Sequence, residues 1–144
     1  MKATLTFKHK APLLREIALE WIGAHINYYG LPCGHSTKHG HSHGPWGQSR
    51  DDIQRYCPAA LQKVMNDGWC RWTTSNGNYC EVMQAGNDLV VEVEGRRHGI
   101  PWPYWLLENN DCVWTCTSRS SAPPWVTGVK DTGLNTYQGV GVFK

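Results

Sequence analysis

Apolar positions along the first thirty residues fall into two patterns. Residues 3–8 (ATLTFK) are short, β-branched and aromatic, the composition of a strand. From Pro12 onward, Leu13, Leu14, Ile17, Ala18, Trp21, Ile22, His25, Tyr28 and Tyr29 recur near the 3.6-residue period. Pro12 suits the first helical position and Gly30 followed by Pro32 supplies the stop, so a helix is predicted with Arg15, Glu16, Glu20 and Asn27 on its wet face. His25 falls on the apolar stripe, where a histidine serves packing more readily than ligation.

A second helical stretch begins at Ser49-Arg50-Asp51-Asp52, which has the form of a capping box. Pro58 interrupts it, giving a short turn over 50–56 and a helix from Pro58 to Asn66 that uses Leu61, Val64 and Met65 and closes at Gly68. Past Gly68 the period becomes two. Strands are predicted at Trp69–Thr74, Tyr79–Gln84 and Leu89–Glu94, a meander joined at Ser75–Asn78 and Gly86–Asp88. Leu89, Val91 and Val93 share one face of the third strand, and Glu92 and Glu94 the other. Further strands are expected at 112–117, 125–130 and 138–143. Ile100-Pro-Trp-Pro-Tyr-Trp105 reads as an extended crossing, because alternate prolines remove ladder donors.

These elements predict one α+β domain over residues 1–144, with a His/Gly-rich loop at 33–48. An N-terminal strand and two helices pack on a mostly antiparallel sheet of about five or six strands. A length of 144 residues is enough to bury a core without staples. The formal charge of +2 is too small for a dedicated duplex-DNA binder. Lys8, His9, Lys10, Arg15 and Glu16 interrupt any apolar run near the N-terminus, and no stretch approaches a membrane span, so a cytoplasmic chain with six reduced cysteines is the expectation. Removal of a leader would reverse that expectation. Cys112 and Cys116, four apart on a strand with Trp114 between them, share a face about 13 Å apart, too far to bond to each other.

The densest chemistry lies in CGHSTKHGHSHGPWG, which places Cys33, His35, His39, His41 and His43 within eleven residues. Imidazole and thiolate are the donors that zinc and other transition metals prefer, and four glycines allow the tract to bend around one ion. His35 and His39 have helical spacing, whereas His39, His41 and His43 alternate as on an extended segment. No HExxH, paired CxxC, or HxE with PCxxC is present to assign a known metalloenzyme site. A solvated loop that captures metals adventitiously, or a histidine loop that senses pH, would share this composition. Cys57, Cys70, Cys112 or Cys116 could complete a site only if the fold brought one alongside. A Cys33/His dyad lacks a helix N-terminus to activate the thiol.

A second constellation is Arg96, Arg97, Trp102, Tyr104 and Trp105. Guanidinium groups beside aromatic rings suit a nucleotide, another anionic aromatic small molecule, or single-stranded nucleic acid. Neither GxxxxGK[ST] nor GxGxxG is present, so side chains alone would hold a phosphate. The same segment could plug the end of the sheet or dock a protein partner, since Trp, Tyr and Arg dominate interface hot spots. The leading expectation is a small intracellular metal-binding protein, with zinc the favoured ion and metal-assisted hydrolysis as its natural chemistry if it is an enzyme. A nucleotide-binding module is the alternative, and an inhibitor or adaptor with a Trp-rich surface is a further one.

Overall fold

The computed structural model describes residues 2–29, 54–55, 58–73, 79–94 and 110–143. In chain order these form β1 (Lys2–Phe7), α1 (Leu13–Tyr29), α2 (Pro58–Asp67), β2 (Trp69–Thr73), β3 (Tyr79–Ala85), β4 (Asp88–Glu94), β5 (Asn110–Cys116), a short 3-10 turn (Arg119–Ser121), β6 (Val126–Gly133) and β7 (Thr136–Phe143).

The seven strands make one sheet in the order β2-β3-β4-β1-β5-β7-β6, every described pairing antiparallel. The count is therefore seven, not the five or six expected. The N-terminal strand does not stand apart from the sheet; it is inserted at the centre between β4 and β5. β4 and β5 thus run parallel to each other on either side of β1, and residues 95–109 join opposite ends of the sheet.

Register converts the two-residue period into rows across the strands. Cys70, Val82, Val91, Leu5, Trp114 and Gly139 form one row, and the five that carry side chains are at most 1% exposed. Neighbouring positions Phe7, Leu89, Cys112, Cys80 and Cys116 extend this buried face. Against it lies α1, which buries Leu14, Ile17, Ala18, Leu19, Trp21 and Ile22. Its stripe is broader than the periodicity implies, because Leu19 joins the core and Glu16 is only half exposed. α1 packs on α2, β2 and β3, and α2 adds Ala60 and Val64.

Local chemistry sets the joints. Pro58 opens α2, and Gly68 closes it with φ of 77°, a left-handed position that suits glycine. The Gly68 N–H donates to the Val64 carbonyl at 2.8 Å, and its own carbonyl accepts from Gln84 N–H at 3.0 Å, tying the helix end to β3. Gly86, with φ of 63°, takes the first central position of the β3–β4 turn, as a type II′ hairpin requires. On β7, a Cβ at Gly141 would lie 2.7 Å from Cε3 and Cζ3 of Trp125, so the ring occupies the space that a side chain would need.

The edges differ. β2 is shielded by α1, because the indole Nε1–H of Trp21 donates to the Arg71 carbonyl. β6 is interrupted by register shifts between Thr127 and Lys130 and between Asp131 and Gly133, irregularities that discourage pairing with another strand.

Candidate functional site

Both sequence-predicted sites lie outside the described residues: Cys33, His35, His39, His41 and His43 in one segment, Arg96, Arg97, Trp102, Tyr104 and Trp105 in the other. The Asp51–Asp52 capping box and Cys57 fall there too. The scaffold places the ends of the first segment on two helices that pack together, since α1 ends at Tyr29 and α2 begins at Pro58.

Among the described residues no group of three or more His, Cys, Asp or Glu could hold a metal ion. The reason is positional. Cys70, Cys80, Cys112 and Cys116 are free thiols, all buried on the helix-covered face and divided between the two wings of the sheet. Burial raises the Cys70 thiol well above its ordinary value, with Cys80 and Glu81 nearby adding to the effect. Burial likewise raises Cys80, with Glu81 contributing. Cys112 is pushed up to about 11 by burial, against a lowering hydrogen bond from the Gly141 backbone. Since metals bind thiolate, Cys70 and Cys112 make poor auxiliary ligands for a loop site. Cys112 and Cys116 flank buried Trp114 on one face of β5, as their spacing requires.

The face of the sheet opposite α1 carries chemistry that periodicity alone did not single out. Arg71 donates from Nε and Nη2 to Glu81 Oε2 at 3.0 and 2.7 Å, and its guanidinium carbon lies 5.1 Å from the centre of the Trp69 ring. Trp69 is 38% exposed. The signal was the Trp-x-Arg alternation on β2, legible only once register placed Arg71 opposite Glu81. This arginine is engaged by a carboxylate, so it is a poor receptor for a phosphate.

No family model, curated protein or solved structure matches the chain. Function therefore has to be argued from its own residues.

At the far end of β1, Asp88 holds the turn after the strand. Its Oδ1 accepts from His9 N–H and its Oδ2 from Lys8 Nζ, both at 3.1 Å. The backbone hydrogen bond and the ammonium, in that order, keep the Asp88 carboxyl below its ordinary value. His9 has φ of 59°, an uncommon left-handed conformation that the Asp88 contact holds in place. Beside this turn, a groove of about 340 Å³ is lined by Thr6, Lys8, Lys10, Asn110, Asp111, Cys112, Val113 and Val140. Val140 is 53% exposed.

Proposed function

We propose that the protein binds a transition metal, zinc in the first instance, through His35, His39, His41 and His43, with Cys33 as a fifth donor. The observation that carries this reading is the concentration of five soft and borderline donors within eleven residues, interleaved with glycine. Two features support it. The segment lies in the chain between α1 and α2, helices that pack on each other. The described thiols are committed to the core, so none of them is available as an auxiliary ligand.

Imidazole donors are neutral and leave most of the ion's positive charge uncompensated, while a Cys33 thiolate would offset one unit of it. If only three of these donors held the ion, the fourth position would be open to a water whose pKa the ion would lower, and hydrolysis is the reaction class such a site would serve. A reducing, intracellular setting belongs to the same reading, because Cys33 must stay a thiol to ligate. Among the described residues no helix is long and apolar enough to cross a membrane.

Replacing His39, His41 and His43 together by Ala should abolish stoichiometric metal while leaving the far-ultraviolet spectrum unchanged. Retention of metal by that variant would refute the assignment.

A further inference from the structure

The β6–β7 hairpin ends in an unusual residue. Gly133 pairs with Thr136, and the two residues between them, Leu134 and Asn135, have φ of 53° and 60°. Positive φ at both central positions defines a type I′ turn, for which Asn and Gly are the ordinary choices. A leucine there is strained by its Cβ. It is also 99% exposed, so the strain gains no burial within this chain. The tip is held in shape by Asp131 Oδ1, which accepts from Gly133 N–H at 2.7 Å, and by Thr132 Oγ1, which donates to the Thr136 carbonyl at 3.0 Å.

The groove beside Lys8 and Lys10 has complementary features. Its apolar wall is Val113 and half-exposed Val140, paired across β5 and β7 on the face opposite α1. Around that wall stand Lys8, Lys10 and Asp111. The hairpin brings Lys130 and Asp131 behind Leu134, so each side presents both signs of charge. Groove and tip cannot meet within one molecule. Val140 and Leu134 are six residues apart along β7 and its turn, about 20 Å at ~3.3 Å per residue, at opposite ends of the sheet.

We propose that Leu134 is the knob and the Val113/Val140 groove the hole of a head-to-tail contact between copies of this chain. The leucine side chain enters the groove of the next copy, Lys130 faces Asp111, and Asp131 faces Lys10, since Lys8 is already paired with Asp88. Such an interface is heterologous: each copy offers one knob and one hole, and association continues until a ring closes or a filament grows. A contact built on one leucine is weak and depends on concentration.

Sedimentation equilibrium of the full chain tests this. The wild type should exceed its 16.3 kDa chain mass as concentration rises into the submillimolar range. Leu134→Gly, which suits the turn, and Val140→Lys, at an exposed position, should each remain at the single-chain mass with unchanged circular dichroism. Mixing the two variants should restore association to twice the chain mass and no further, because one retains only its hole and the other only its knob. A wild type that stays at the single-chain mass at every concentration would overturn the proposal. Association that survives Leu134→Gly would overturn it as well, and would point to the His tract or the Trp69 surface instead.

Discussion

The indole N–H of Trp21, in the middle of α1, donates to the main-chain carbonyl of Arg71 on edge strand β2. One residue thereby fills the core and caps the edge of the sheet. Its ring is 4% exposed, and its nitrogen satisfies a carbonyl that an intruding strand would otherwise use. Trp21→Phe keeps most of the apolar bulk and removes the donor. The expected cost is about 1–3 kcal/mol in urea denaturation, with increased aggregation at the midpoint. An unchanged midpoint would mean that the bond contributes nothing.

Gly141 is closed to side chains by Trp125. Because a Cβ there would lie 2.7 Å from two ring carbons, Gly141→Ala should force the indole aside and destabilise by about 1–3 kcal/mol. A thermal melt of the variant is sufficient to check this.

Relief of strain should act in the other direction at the hairpin tip. Leu134→Gly removes a left-handed penalty of about 1–2 kcal/mol and gives back roughly 0.5–1 kcal/mol in unfolded-chain entropy. The net expectation is a small gain in stability, of the order of 0.5–1 kcal/mol by denaturation. A loss would show that glycine's unfolded-chain entropy outweighs the relief of strain.

The buried thiols predict an alkaline limit. Cys70, Cys80 and Cys112 all have folded pKa values above the ordinary 9.0. Below pH 9 both states are protonated and the full stability is present. As pH rises past the unfolded value, the unfolded chain releases protons that the folded chain retains, so stability falls with pH. The slope approaches about 1.4 kcal/mol per pH unit for each thiol. Urea midpoints at pH 7.5 and 10 should differ accordingly, and Cys70→Ala should reduce the slope. These thiols should also react with a disulfide reagent only on unfolding.

The elements themselves were legible in the sequence. Leu14, Ile17, Trp21 and Ile22 set the buried stripe of α1, and the alternation of Leu89 and Val91 set the inner face of β4. What alternation cannot encode is which strands are neighbours. Leu5 lies between Val91 and Trp114, partners more than eighty residues away, and nothing in the ATLTFK run distinguishes a central strand from an edge. The Arg71–Glu81 pair was hidden for the same reason, since it depends on cross-strand register. Donor density in the His tract is a property of sequence alone. The inward position of Cys70 and Cys112, which removes them as auxiliary ligands, is a property of the fold.

Metal content, measured by elemental mass spectrometry on untagged protein purified without chelating resin, tests the central claim most directly when paired with thermal melts before and after EDTA. About one ion per chain, with a marked fall in melting temperature on chelation, is the predicted result, because an ion bound only by the folded state stabilises it by mass action. No retained metal and identical melts would contradict the claim and reduce the His tract to a solvated loop.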